Sequence, residues 1–434
     1  MSPRVPPLLE IRDPIHGAIG VDKGELAVID HPVVQRLRGI RQLGFSHLPF
    51  PGATHTRYTH SLGAMHLAGQ AFDACFRGFP FSSRERRRTL RRCLRLAALC
   101  HDLGHPPFSH AVEFAMPPLR ELDITAYRPE VDASARDRRA SHEDYTISLL
   151  LKSGVGEVVA REFGFTSRHV ASLISQDVEV LDDFFVESGH DLQGLLSQLV
   201  SSDLDVDRMD YLVRDATFTG ARYGEVDVDW LLSNISWLEV EGRICLALDQ
   251  RAIYAFHDFM LARLHMFLMV YFHRKSVIYE EMLKRFMSAQ DCPVVLPADV
   301  HTYIRTDDSA LWSLLRQSDN PWARRVVEFR PYRMVHEVHG RRGEVDLSHW
   351  AQTLEDAGLD VIRASTQEVL LTKPKPGSSP IYVVSGRSRG RSRLPTIHDL
   401  SDSLERYRSE RTIDRLYVDR EMMGKAQQVL DDAH

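Results

Sequence analysis

Apolar positions recur every three to four residues through much of the first 290 residues, the spacing that sets one face of an α-helix against a core. Leu90 to Leu103 follows that period and then meets Gly104 and Pro106-Pro107, which stop a helix sharply. Asp203 to Thr217 is a second periodic run, and Ile253 to Met287 is a long, strongly apolar helix or helix pair. Within it, Ile253–Phe272 carries His257, Asp258, Arg263 and His265, which predict a buried core helix rather than a membrane span. Met116 to Ser141 has three prolines, many charges and little periodicity, and reads as a loop or lid. No repeat is visible.

The pattern changes near residue 290. Val326 to Val338 is rich in Val, Phe, Tyr and Arg, and Leu347 to Ala357 is patterned as an amphipathic helix. Val369 to Thr372, Ile381 to Val384 and Arg415 to Val418 read as short strands, the first two joined by a Pro/Gly/Ser turn, and a helix follows to the C-terminus. The expected fold is mainly α: a large helical domain over residues 1–290, with 116–141 as its lid or loop, and a smaller α+β region over 291–434.

Composition narrows the class. With 43% apolar and 26% charged residues among 434, the chain is globular rather than disordered or fibrous. A net charge of -6 argues against nucleic-acid binding through bulk basicity. Gly386 to Arg393, which alternates Arg with Ser or Gly, keeps a local phosphate or RNA contact open beside the plainer reading of a solvated loop. Five cysteines without a C-x-x-C pair read as free thiols in a reducing compartment. The first residues lack the apolar core of a signal peptide, so a cytoplasmic protein with no membrane contact is expected.

There are 21 histidines, and their placement carries the chemistry. His101 and Asp102 end an apolar helix, where two ionisable groups are expensive to bury unpaired; a divalent cation would satisfy both. Adjacent helical residues point about 100° apart, so both reach one ion only at a helix end or a crossing. Asp203, Asp205, Asp207 and Asp210 lie within eight residues and repel one another unless cations are near. On a helix, Asp207, Tyr211 and Asp215 share a face. Read alone, this run is equally an acidic first turn with surface ion pairs.

The order His60, His101-Asp102 and Asp207 resembles the signature of the HD superfamily of metal-dependent phosphohydrolases. Asp13-Pro-Ile-His-Gly17, Phe50-Pro-Gly-Ala53, His60-Ser-Leu-Gly63, His101-Asp-Leu-Gly-His105, Pro107-Phe-Ser-His110 and Asp205-Val-Asp-Arg-Met-Asp-Tyr211 resemble its deoxynucleoside triphosphate triphosphohydrolase branch. That branch includes the sterile-alpha-motif/HD restriction factor of vertebrates and shorter bacterial relatives. The resemblance covers about residues 8–290 and makes the helical domain an HD domain.

What it implies can be carried over residue by residue. His60, His101, Asp102 and Asp207 match the four ligands of one divalent metal, with Fe, Mn, Zn, Ni, Co or Mg compatible with such a set. His105, His110 and His142 match histidines beside the scissile phosphate and take acid/base and phosphate-contact roles. Glu113 stands where the family has Asp and would orient His110. Arg57 matches an arginine at the triphosphate, and Arg208 occupies a position that is usually Lys. Tyr211 matches the tyrosine that closes on the sugar edge, and Gln42 and Asp215 match the pair that holds the 3′-hydroxyl. Tyr271, His273 and Lys275 match a helix whose polar face meets phosphates and base.

The implied reaction cleaves a deoxynucleoside triphosphate to deoxynucleoside and tripolyphosphate. The implied assembly is a homo-oligomer, with room for a nucleotide activator. Two departures bear on this. Leu268-Met269-Val270 is apolar where the vertebrate branch carries arginines. Leu9 and Arg12 stand where its activating site has Lys and Asn, although Asp30, Gln35 and Arg38 are kept. The competing readings are an HD phosphoesterase acting on another nucleotide or a nucleic-acid end, with two metals, and a nucleotide- or nucleic-acid-binding module.

Overall fold

A chain whose apolar residues recur with helical spacing folds as helices stacked on one core, and the computed structural model shows this. It describes residues 9–128, 137–290, 292, 294–368, 379–385, 394–400 and 411–433. In chain order, a hairpin of β1 (Leu9–Asp13) and β2 (Gly17–Val21) precedes α1 (Arg57–Cys75) and α2 (Arg84–Cys100). Next come α3 (His142–Lys152), α4 (Val206–Thr219) and a second hairpin, β3 (Ile235–Val240) with β4 (Arg243–Asp249). The helices α5 (Ile253–Met266) and α6 (Arg274–Met287) follow. The chain closes with β5 (Arg333–Arg341), α7 (Ser348–Asp356), β6 (Val361–Glu368), β7 (Tyr382–Val384), β8 (Arg411–Val418) and α8 (Met423–Ala433).

The mainly α character is as expected. The run predicted from Leu90 begins earlier, at Arg84, where Ser83 Oγ accepts the Arg86 N–H at 3.0 Å. Its arginine-rich first turns faces water and hid the start of the period. The apolar stretch after Ile253 is a helix pair: α5 passes through one π turn, Phe267–Tyr271, and α6 restarts at Arg274. Gln250–Tyr271 is long and apolar enough to cross a membrane by length and composition. Half of it is buried, and Phe256, Phe259, Met260 and Met266 lie in the main core.

The residues after 290 divide between the main core and a small α+β part with a core of its own. Three further helices, Val300–Tyr303, Asp308–Gln317 and Pro321–Val327, continue the helical packing before β5 begins. β8 lies between β5 and β6, antiparallel to both, and α7 and α8 cover that sheet with a small second core. β7 leaves this group and pairs in parallel with β4. Ile362, Ile381, Val383 and Tyr417 accordingly join the main core. The strand expected at Val369 to Thr372, the turn after it and the arginine-alternating segment 386–393 lie outside the described residues.

Candidate metal centre and cavity

Three helix ends bring the polar signature together. His60 sits in the first turn of α1, His101 caps the C-terminus of α2 with Asp102 next to it, and Asp207 lies in the first turn of α4, whose N-cap is Asp205. The helix end is what lets the adjacent His101 and Asp102 face one point. His60 Nε2 lies 2.9 Å from Asp207 Oδ1 and 3.8 Å from Asp102 Oδ2. His101 Nε2 lies 3.2 Å from Asp207 Oδ1, 3.3 Å from Asp102 Oδ1 and 3.3 Å from His60 Nε2.

The other ring nitrogen of each histidine decides what this point can hold. His60 Nδ1 donates to Asp210 Oδ2 at 2.7 Å, and His101 Nδ1 donates to the Ala98 carbonyl at 2.7 Å. Each neutral imidazole therefore turns a bare Nε2 lone pair toward two carboxylates. Such a group repels itself unless a cation stands between, and it has the donors and outer hydrogen bonds of a divalent metal site. The same field acts on protons. Burial would lower both histidines, but Asp207 and Asp210 push His60 up to about 10, and Asp102 and Asp207 push His101 up to about 9.

One glycine makes the arrangement fit. A Cβ on Gly63, one turn beyond His60, would sit 1.9 Å from Asp210 Oδ1 and 2.4 Å from Arg214 Nη2. Behind His60, the fully buried Asp210 also meets His16 Nε2 at 2.6 Å and accepts from Arg214 Nε at 2.8 Å, while Arg214 Nη1 donates to Asp13 at 2.8 Å. Sequence reasoning assigned no individual role to Asp13, His16 or Asp210, and gave Arg214 the role of balancing the acidic charge or gripping phosphate. All four lie in or beside the motifs that carried the resemblance, and an arginine beside a crowded acidic run was the available signal.

The centre opens into a cavity of about 630 Å³. Of the expected residues, Gln42, Arg57, His101, Asp102, His105, His110, His142, Asp207, Arg208, Tyr211, Asp215 and Tyr271 line it. His105 is buried, with Nε2 3.3 Å from Asp102 Oδ1 and Nδ1 unpaired, and its ring stacks on His142 at 4.0 Å. Burial, then the Arg57 charge, hold His105 neutral. Glu113 Oε1 binds Nδ1 of His142 and lies 3.3 Å from Nδ1 of His110, so it orients two histidines rather than the one expected. Glu113 keeps His142 raised against the effect of burial.

The two arginines border the cavity with donors already engaged. Arg57 Nη1 holds Asp102 Oδ2 at 2.6 Å and Nε holds Ser109 Oγ at 2.9 Å. Arg208 bonds the Ser202 carbonyl and lies 3.3 Å from Asp203 Oδ1. Farther along, Asp215 accepts from Tyr271 Oη at 2.8 Å and pairs with His55 Nε2 at 2.7 Å, while Gln42 Oε1 is buried and unpaired.

His273 and Lys275 are not brought into this cavity. After the π turn His273 becomes the N-cap of α6, accepting the Lys275 N–H at 3.2 Å, and Lys275 Nζ donates to the Leu48 carbonyl at 3.2 Å. Both line a separate cavity of about 300 Å³ with Tyr332, Arg333 and Tyr417.

The segment between His101 and His110 is held by residues that sequence reasoning missed. Phe108 and Ser109 adopt left-handed backbone, φ 56° and 55°, a conformation that costs a non-glycine residue about 1–2 kcal/mol. Asp308 offsets this by accepting the Phe108 N–H at 2.8 Å and the Arg41 N–H at 3.0 Å. Arg36 donates to the Leu103 and His105 carbonyls, and Tyr303 Oη to the Gly104 carbonyl at 2.6 Å. A Cβ on Gly104 would lie 2.0 Å from the His142 carbonyl, so glycine lets α3 bring His142 against His105.

Residues 57–214 match the HD domain family, and residues 226–349 match the HD associated region. The chain belongs to the HD superfamily. This HD protein is 30% identical over 316 residues to an uncharacterised protein of Methanocaldococcus jannaschii, covering 73% of this chain and 57% of that one. It is 33% identical over 300 residues to YwfO of Bacillus subtilis, covering 67% and 59%. To the human deoxynucleoside triphosphate triphosphohydrolase SAMHD1 it is 27% identical over 358 residues, covering 76% and 54%. The chain thus spans a little over half the length of these relatives. A crystal structure of a hypothetical Aquifex aeolicus protein superimposes with a TM-score of 0.72 at 25% identity, over 98% of this chain and all of that one. A phosphohydrolase from Bacteroides thetaiotaomicron shares the HD fold, with a TM-score of 0.64 at 23% identity, over 95% of this chain and all of that one.

Proposed function

We propose that this protein is a metal-dependent hydrolase that converts deoxynucleoside triphosphates to deoxynucleosides and tripolyphosphate, working as a cytoplasmic homo-oligomer. The observation that carries the reading is the placing of His60, His101, Asp102 and Asp207 around one point at the wall of a nucleotide-sized cavity that also holds His105, His110, His142 and Tyr211. The similarity to a deoxynucleoside triphosphate triphosphohydrolase supports it.

In this reading the four residues hold Mn, Fe, Mg, Zn, Ni or Co. A divalent ion there supplies Lewis-acid charge to a phosphoryl oxygen and lowers the pKa of the attacking water. Glu113 occupies Nδ1 of His110 and of His142, so Nε2 is the nitrogen each has left for substrate. His142, whose pKa Glu113 raises, takes a phosphoryl oxygen, and the exposed His110 gives a proton to the leaving side. The Asp215 carboxylate accepts the one proton of the sugar hydroxyl, and the Gln42 side-chain amide, unpaired at Oε1, lies at the same cavity.

The test is a panel of all dNTPs and NTPs, singly and mixed, with Mn²⁺ or Mg²⁺ and product identification; the mixture reveals a nucleotide activator. Deoxynucleoside and tripolyphosphate are expected, with Asp207→Ala inactive. Only di- or monophosphate products would overturn the reading.

A second reading, a two-metal phosphodiesterase, is favoured by one observation. His105, His110, Glu113 and His142 offer ligand atoms all within 4.8 Å of one another. Two metal equivalents per chain would support it, and one would exclude it.

A further inference from the structure

One wall of the cavity comes from α6 and β6 and carries a carboxylate that the metal centre does not use. Glu280 lies one turn beyond Val277 on α6, and both line the cavity together with Thr366 and Gln367 of β6. Glu280 is half-buried and meets neither a cation nor a hydrogen-bond donor among the described residues. Its chain neighbour Glu281 is a second acid, and burial followed by that charge pushes the Glu280 carboxyl up to about 7. The Thr366 hydroxyl is engaged by the Ile413 carbonyl at 3.3 Å, so Glu280 and the exposed Gln367 are the polar groups this wall offers a ligand. Leu43, Phe272 and Val277 give the cavity apolar surface on which a planar ring can lie.

Charge orients a nucleotide in such a space. A carboxylate repels phosphate oxygens, whereas Arg57, Arg208 and the cation-seeking centre attract them. The end of the ligand that reaches Glu280 is therefore the base. Above about pH 7, where Glu280 is ionised, its carboxylate is acceptor-only, with two oxygens that suit two parallel N–H donors. Guanine presents such a pair, N1–H beside the 2-amino group. Adenine and cytosine set a ring acceptor beside the amino group, and thymine flanks its one N–H with carbonyls.

We propose that Glu280 reads the base in this cavity, its carboxylate accepting from N1–H and the 2-amino group of guanine, so that the chain prefers deoxyguanosine triphosphate. The inference deepens the hydrolase reading and rests on it for the triphosphate end of the ligand.

The test compares kcat/KM for dGTP, dITP and dATP on the full chain and on Glu280→Gln in Mn²⁺ at pH 8, where Glu280 is ionised. Wild type should favour dGTP over dATP, and Glu280→Gln should shrink that ratio about tenfold or more. Wild type alone gives a second reading, because dITP lacks the 2-amino group and should fall below dGTP. A dGTP-to-dATP ratio in Glu280→Gln within twofold of wild type, or dITP equal to dGTP on wild type, overturns the inference and leaves the hydrolase reading standing. If no nucleotide turns over, the hydrolase reading falls, and calorimetric dissociation constants in Mn²⁺ give the same comparisons. A guanine preference lost in Glu280→Gln still supports the base-reading role, and an unchanged preference or no binding sinks it.

Discussion

Asp210→Asn tests whether the carboxylate behind His60 is part of the metal centre or merely part of the core. Asp210 is fully buried and meets His16 Nε2 at 2.6 Å, His60 Nδ1 at 2.7 Å, Arg214 Nε at 2.8 Å and Arg214 Nη2 at 2.9 Å. Asparagine keeps one acceptor oxygen and turns an amide N–H₂ on the remaining donors. Breaking a buried ion pair costs about 3–5 kcal/mol. Here the cost falls near the lower end, because Arg214 keeps Asp13 at 2.8 Å. A domain with about 5–15 kcal/mol of stability survives that loss. His60 also loses the acceptor that holds its proton on Nδ1 and its lone pair on Nε2. Removing such an outer partner weakens metal binding about 10–100-fold, or about 1.4–2.7 kcal/mol. Calorimetric titration with Mn²⁺, on variant shown folded by its near-UV circular dichroism and melting curve, separates the two effects. Mn²⁺ affinity within twofold of wild type, with the melting temperature lowered, would refute the argument and make Asp210 a core residue only.

Two further substitutions probe the surroundings. Asp308→Ala leaves the N–H groups of Phe108 and Arg41 without their partner, at about 1–3 kcal/mol each. It should lower the melting temperature and kcat while leaving the Mn²⁺ equivalents bound per chain unchanged; an unaltered kcat would show that the left-handed turn holds itself. Glu280→Gln makes stability less pH-dependent. With its carboxyl raised from 4.5 to about 7, the folded wild type binds more protons than the unfolded chain between those values, so wild-type stability falls as pH rises across them and levels off above. The loss is at most about 3.4 kcal/mol, less as far as solvent screens the half-buried group, and the variant should melt above wild type at pH 8 and alike at pH 5. Equal melting at both would place the carboxyl in water.

What could be read from the chain divides along the range of the interactions involved. The pairing of His101 with Asp102 demands a helix end, and Gly104 with Pro106-Pro107 supplies the stop, so the local segment contains its own reason. Asp207, Tyr211 and Asp215 keep helical phase because α4 runs unbroken, and all three line the cavity. His273 and Lys275 line a different cavity, and the local backbone gives the reason. A π turn, which closes over one residue more than an α turn, ends at Tyr271, and the restart at His273 aims the residues that follow at a different cavity. The strand read at Val369 to Thr372 lies outside the described residues, while the strand β6 just before it, at Val361–Glu368, alternates with Arg363, Ser365 and Gln367 facing water, but its inward Ala364 and Thr366 are too small or polar to mark the period.

Asp308, Tyr303 and Glu280 share none of these local signals. Asp308 meets Phe108 across 200 residues and Tyr303 meets Gly104 across 199, so nothing in a window of the sequence marks them. Two of those supports lie beyond residue 290, outside the stretch that carried the resemblance. The region that looked like an appendage thus supplies Asp308 and Tyr303 to hold the catalytic segment and β6 to the cavity wall. A chain cut at residue 290 would keep every residue of the metal signature, yet it would leave the Phe108 N–H and the wall beside Glu280 without their partners. Mn²⁺ binding should therefore outlast base discrimination as this region is loosened.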